Sequence, residues 1–377
     1  MMIIKKSVQE IGCGTSGALL SVGGSVDGSI GSGDKAMTLL SSKPREWVLK
    51  ARSPIWTGDA DRNGDRMVAT GLLGSLRWWF EVLVRGLGGS ACDPAESDGR
   101  CPDKNDKHCV VCELFGCTGW ARKFRFDVLD ESGTIKRDQI KKDETFQFRF
   151  TPLRPMRDEE WALLDLTLRL IAEYGAIGGK TVLKPSNETN RSDQPHHQDY
   201  GLIAIEERPD DRSVRKEALQ RYLALGWRSV NHGDSGWASV ENFWCVGARF
   251  LTRENPTSST FNKILGRDQR KTCADCGEVH NPPAKCPRTQ KHPRRYSDRN
   301  PSSQPEKWLA GGRAESKKIF SFKYPPRTFG FVKPGLLSLD EMRERLKKAW
   351  PSLANNEFLS GPTILDRLLA EARGGAR

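Results

Sequence analysis

The sequence predicts an α+β chain of two tandem ferredoxin-like domains, each of β-α-β-β-α-β order as in RNA-recognition (RRM-like) folds, with zinc-binding loop insertions. Three observations lead there. Strand-like and helix-like hydrophobic periods follow one another in that order across residues 45–207. A weaker version of the same succession returns across 208–377. Most of the ten cysteines fall in the polar connections between these elements rather than within them.

The elements follow in chain order. Residues 12–34 are mostly Gly and Ser and cannot bury enough apolar surface to offset their ordering entropy, so 1–44 is expected to be a flexible extension. WVLKA (47–51) reads as a short strand, and a helix follows over about 70–86 with Thr70 as its expected N-cap. ARKFRFDVL (121–129) and FQFRF (146–150) alternate apolar and polar residues strictly, as half-buried strands do. Trp161, Leu164, Leu168 and Ile171 recur at helical spacing over 158–174, and Gly175 is expected to end that helix. GLIAIE (201–206) is the last strand of the first domain, 45–207. The domain at 208–377 reads as a degenerate copy: a helix near 212–225, strands at 241–251, 317–324 and 327–332, and helices near 338–349 and 362–373. A basic, Pro-rich, Cys-containing insertion interrupts it at 266–306.

The chain carries 60 Lys and Arg against 48 Asp and Glu, a net charge of +12. An excess of that size suits either a solubilising surface or a polyanionic partner, because each phosphate contact releases a counterion. No run approaches the ~20 apolar residues of a membrane span, and the opening MMIIKKSVQE lacks the apolar core of a secretion signal. A cytoplasmic protein with no membrane partner is therefore expected, and its clustered cysteines suit metal better than disulfides. DADRNGD (59–65) begins like a calcium loop but has Thr70 where a bidentate Glu is needed. GAIGGK (175–180) lacks the spacing of a P-loop, and no HExxH or GxSxG occurs.

Cys92, Cys101, Cys109 and Cys112 lie in one long connection, and the CVVC pair has chelating spacing for tetrahedral zinc; His108 could replace one thiolate. Unpaired thiols in a loose loop are the plainer reading. Cys273 and Cys276, in CADCG, with Cys286 and either His280 or His292, form a second candidate set. It lies beside Arg294 and Arg295, whose basic surroundings suit RNA or a solvated loop. On the 70–86 helix, Leu72, Leu76, Trp79, Phe80 and Leu83 share one stripe. Gly74, Arg77, Trp78, Glu81 and Arg85 lie opposite. That second face reads either as an i,i+4 ion ladder with Trp78 packed on a neighbouring loop, or as a nucleic-acid contact made by Gly74, Arg77, Trp78 and Arg85. RTFGFVKP (327–334) partly matches the RNA-recognition signature. His232 and His196 are the loop histidines that a catalytic reading would use.

The stretches SPIWTGDADRNGD, GLLGSLRWWFEVLVRGLGG, CVVCELFGCTGWARKFRF and GAIGGK occur in this order. Together they resemble RAMP-superfamily proteins of type III-B CRISPR (Cmr) systems, over about 47–350 and most strongly over 47–180. The resemblance implies tandem ferredoxin-like domains in a ribonucleoprotein that binds guide and target RNA alongside other RAMP subunits. It implies a non-catalytic subunit that helps capture target single-stranded RNA while other subunits cleave. Its RNA contacts would fall on Thr57, Gly58 and Asp59, on Arg77 and its helix, and on Gly178, Gly179 and Lys180. The alternative function is a metal-independent endoribonuclease of the same superfamily, acting on CRISPR RNA through His232 or His196.

Overall fold

A computed structural model describes residues 43–371 apart from 59–62, 94–98, 180–184, 190–193, 196, 210–213, 256–257, 267–275, 277, 279–284, 291–302 and 312–315. Nearly all of the 1–44 extension, and most of the basic insertion, lie outside the described residues.

Strand β1 (Arg45–Ala51) buries Trp47, Leu49 and Ala51 in alternation. Helix α1 (Ala69–Gly86) follows, then a short helix α2 (Val110–Phe115) that the sequence did not announce. Strands β2 (Phe124–Asp130) and β3 (Thr145–Pro152) pair antiparallel with Phe126 opposite Phe150, which puts the alternating phenylalanines on one face. Helix α3 (Asp158–Tyr174) and strand β4 (Ile203–Glu207) complete the first half. All pairings are antiparallel in the order β2-β3-β1-β4. The phenylalanine face is covered by α3, whose Trp161 lies 6.4 Å from Trp47, and by α2, whose Phe115 bridges Phe80 of α1 and Phe124 of β2. Two local expectations change. Helix α1 starts at Ala69 with Val68 as its N-cap, so Thr70 is already inside it. Gly175 does close α3, but at φ −112 it is not left-handed. A Cβ there would sit 2.6 Å from the Trp79 ring, so packing requires the glycine.

The second half contains α4 (Lys216–Leu223), β5 (Phe243–Gly247), a ribbon of β6 (Arg253–Asn255) and β7 (Ser258–Ser259), α5 (Thr260–Leu265) and α6 (Gln304–Ala310). It ends with β8 (Ile319–Lys323), β9 (Pro326–Phe331), α7 (Leu339–Ala349), β10 (Phe358–Ser360) and α8 (Gly361–Glu371). Its sheet runs β10-β5-β9-β8, the order of the first sheet once β5, β8, β9 and β10 are matched to β1, β2, β3 and β4. The fourth strand, β10, is only three half-buried residues long, too short to show a period in sequence. The expected strand at 241–251 ends at Gly247. Helix α4 packs on α3, where the Tyr222 hydroxyl donates to Glu160 Oε1 at 2.6 Å.

Helix α1 lies between the two halves. Leu72, Leu76, Phe80 and Leu83 are buried, with Phe80 against Phe115 of the first half. Trp79 packs on Phe243, Phe329 and Phe331 of the second sheet, and Trp78 meets Trp79 and Phe331 edge-on. The paired tryptophans are thus an aromatic contact between the halves. No described helix is long and apolar enough to cross a membrane.

Candidate metal centre and nucleic-acid interface

Cys92 follows the end of α1, Cys101 lies in the long connection, and Cys109 and Cys112 stand at the start of α2. The turn of α2 brings Cys109 and Cys112 to one side, because residues three apart on a helix are neighbours. All four thiols are buried, and their sulfurs lie within 4.8 Å of one another. Cys92 and Cys112 Sγ are 3.5 Å apart, far beyond the ~2.05 Å of a disulfide. Four sulfurs at Zn–S ≈ 2.3 Å would stand ~3.8 Å apart on a tetrahedron, so the donor set fits that ion with small adjustment. The backbone N–H of Cys109 donates to Cys101 Sγ at 3.2 Å. Hydrogen bonds from Cys109, Cys112 and Cys92 bring Cys101 far below the ordinary thiol range. His108 does not join the set, because its Nε2 lies 2.8 Å from Glu113 Oε2.

Two arginines face the sulfurs. Arg77 reaches Cys112 Sγ at 3.3 Å and Cys92 Sγ at 3.9 Å, and Arg228 reaches Cys101 Sγ at 3.5 Å. Four thiolates around a divalent ion leave a net charge near −2, and two guanidiniums at this range balance it. Burial opposes the charge of Arg77, but Glu81 and Cys112 beside it outweigh burial and hold it cationic. Arg228 was not found from the sequence, where no local pattern marks it.

The expected open face of α1 is closed over most of its length. Arg77 Nε bonds Glu81 Oε1 at 3.0 Å, and Arg85 bonds Glu81 Oε2 at 3.4 Å, which is the ion ladder. Arg77 also donates to Gly116 O, and Arg85 to Ala238 O. The side chains of Arg77 and Arg85 are 17% and 4% exposed, because the cysteine connection and residues 228–240 lie over them. Trp78 packs edge-on against Trp79 and Phe331. Of the face expected to meet RNA, Gly74 alone is exposed, and a Cβ there would meet nothing within 4 Å.

The two glycine-containing loops come together at the start of α1. The Gly179 N–H donates to Trp56 O at 2.8 Å, and the Gly178 N–H to Ser75 Oγ at 3.1 Å. Gly178 has φ +114, and a Cβ there would stand 2.8 Å from Trp56 O. Thr57 is buried: its hydroxyl accepts from the Val68 N–H and donates to Arg66 O, so it caps the approach to α1. Gly58, at φ +48, carries the chain out of this contact. Asp59 and Lys180 lie outside the described residues, as do Cys273, His280, His292, Arg294, Arg295 and His196. Of the second candidate metal set, Cys276 is half-buried and Cys286 is buried.

Two further expectations change. Phe329 and Phe331 of the RTFGFVKP stretch are buried against Trp79 and Phe243, so they offer no stacking platform. His232 Nε2 accepts the Ala91 N–H at 3.2 Å, and burial followed by the charge of Arg85 lowers its pKa. It serves as a neutral acceptor that fixes the loop beside Cys92.

The glycine loops, α1 and the cysteine turn all fall within one stretch of chain that has a recognised relative. Residues 48–183 match the RAMP superfamily. The matched segment contains the last four residues of β1, all of α1, α2, β2, β3 and α3, and both glycine-containing loops. No curated protein matches the chain. Among solved structures, Cmr1 from Pyrococcus furiosus in its apo form is similar at 9% identity and a TM-score of 0.39. That match covers 85% of this chain and 98% of the other. The Csm3-Csm4 subcomplex in the type III-A CRISPR-Cas interference complex is similar at 13% identity and a TM-score of 0.23. It covers 49% of this chain and 96% of the other.

Proposed function

We propose that this protein is a non-catalytic RNA-binding subunit of a type III-B CRISPR (Cmr) ribonucleoprotein, of the kind of the complex's first RAMP subunit. In this reading it works in the cytoplasm, contacts guide RNA, helps hold target single-stranded RNA and docks on other RAMP subunits. The observation that carries the reading is the meeting of the 56–58 and 178–179 loops. They are far apart in sequence, both belong to the RAMP segment, and both are the places that the family resemblance assigns to RNA. Lys180, the residue after Gly179 in the chain, suits a phosphodiester partner by its charge. The net charge of +12 supports the same partner. Two tandem ferredoxin-like units are supported by the repeated strand order of the two sheets.

The test is binding of labelled single-stranded RNA by the full chain across a salt series. Lys180→Ala is expected to weaken binding and to reduce the slope of log K against log salt by about one phosphate contact. An unchanged slope and affinity would remove the site. Cleavage of labelled CRISPR RNA in EDTA, abolished by His232→Ala, would replace this reading with the endoribonuclease. The bond from Ala91 to His232 Nε2 speaks against that outcome.

The same reading gives the four-cysteine centre a structural zinc ion held by Cys92, Cys101, Cys109 and Cys112. Zinc supplies fixed tetrahedral coordination that closes the long connection after α1. Elemental analysis should find one zinc per chain, or two if Cys273, Cys276, Cys286 and His292 also bind. Less than one per chain would overturn the assignment.

A further inference from the structure

The first-half connection that holds the cysteines is also the surface on which the chain crosses to the second sheet. From Gly226 to Asn242 the chain runs from α4 to β5 with no regular element beyond two short 3-10 turns, Gly233–Ser235 and Val240–Asn242. Its polar contacts to the other half fall mainly on residues 85–108. The Arg228 N–H donates to His108 O at 3.0 Å. Its guanidinium donates to Gly99 O at 3.1 Å, Arg100 O at 2.7 Å and Cys101 Sγ at 3.5 Å. Val230 N–H donates to Ser90 Oγ at 3.3 Å, and His232 accepts from Ala91. Arg85 closes the far end by donating to Ala238 O at 2.9 Å. Beyond that point Val240 fills the space over Gly86, where a Cβ would come within 2.0 Å of Val240 Cγ1. Phe243 then packs on Trp79.

The described residues of 88–109 form no helix or strand, so the partners offered to the crossing segment have no ladder of their own to hold them. We infer that metal occupancy of the four-cysteine centre sets the order of the 226–242 crossing and, through it, the seating of the second sheet on α1, with Arg228 as the positioning residue. This inference rests on the zinc reading above. The Arg228 guanidinium touches a ligand sulfur and two carbonyls of the ligand-bearing loop, so ordering of the crossing and retention of the ion are reciprocal.

The experiment uses the full chain as purified, with zinc measured by elemental analysis. Hydrogen–deuterium exchange is followed before and after stripping by EDTA. Peptides covering 226–242 are expected to exchange about tenfold faster after stripping, while the β2–β3 hairpin keeps its protection. A Cys→Ser variant removes a ligand and with it the fold of the connection, so the second arm is Arg228→Ala, which leaves every ligand in place. It should release zinc to a chromogenic chelator about 10- to 100-fold faster and expose 226–242 in the loaded protein. Zinc missing from the starting protein would overturn the zinc reading itself. Zinc present, with 226–242 equally protected before and after stripping, would overturn the coupling alone. Loss of protection throughout the chain would also overturn it, since the effect would then be global. Unchanged zinc release from Arg228→Ala would remove Arg228 from the role.

Discussion

Arg77→Ala separates the two roles open to the most conspicuous arginine of α1. In the structure its guanidinium makes four contacts: Glu81 Oε1 at 3.0 Å, Gly116 O at 2.9 Å, Cys112 Sγ at 3.3 Å and Cys92 Sγ at 3.9 Å. Removing one member of a buried ion pair costs about 3–5 kcal/mol, because the remaining charge is left without its partner. Glu81 keeps Arg85 at 3.4 Å, which places its share at the low end of that range. An unpaired Gly116 carbonyl adds about 1 kcal/mol, and the little water that reaches this site recovers part of it. The sum is about 3–4 kcal/mol, a large fraction of the stability of an ordinary domain. Urea unfolding of the wild type and the variant, with zinc content measured on both, reads this directly. A surface arginine contacting RNA would behave differently. Its loss would leave stability within about 0.5 kcal/mol and would lower only the salt slope of RNA binding. A stability loss under about 1 kcal/mol with zinc retained would refute the reasoning.

Gly74→Ala should stabilise the free protein by about 0.5–1 kcal/mol, because the site is exposed in mid-helix and a Cβ has open space. The same variant should weaken RNA binding if the sugar-phosphate backbone approaches α1 there. A lower melting temperature would contradict the first expectation, and unchanged RNA affinity the second. Asp199 accepts backbone N–H bonds from Lys323 and Tyr324. Burial nevertheless raises its pKa from 3.8 to about 6, against the pull of those bonds. The folded state therefore binds the proton more tightly than the unfolded chain. Its contribution to stability is full below about pH 3.8 and is lost as pH rises through 6. Relative to Asp199→Asn, the wild type should gain stability as pH falls from about 7 to 4 in urea midpoints. Parallel profiles for the two proteins would rule this out.

The first half of the fold was legible because its strands are half-buried and its helices long. Alternation in FQFRF and the spacing of Trp161, Leu164, Leu168 and Ile171 each repeat often enough to declare a period. Helix α2 and strand β10 were not, since six and three residues carry no period. The spacing of Cys109 and Cys112 identified a chelating pair. That Cys92 and Cys101 join them depends on the path of a connection with no regular structure, yet the sequence set named all four.

By itself the sequence determined the order of the strands and long helices in the first half and the grouping of four cysteines, and its residues 48–183 match the RAMP superfamily. Those properties depend on local period, on residue chemistry and on short motifs, all of which are written along the chain. Tertiary structure alone decided which faces are covered. Angular reading made α1 a surface helix with one wet side. In the fold it lies between two sheets, with Trp78 and Trp79 against the second and Arg77 turned toward four thiols. A helical wheel shows which residues share a face but not what lies opposite. Here the covering residues include Cys112, Gly116, Ala238, Phe243, Phe329 and Phe331, and no period within α1 can encode them.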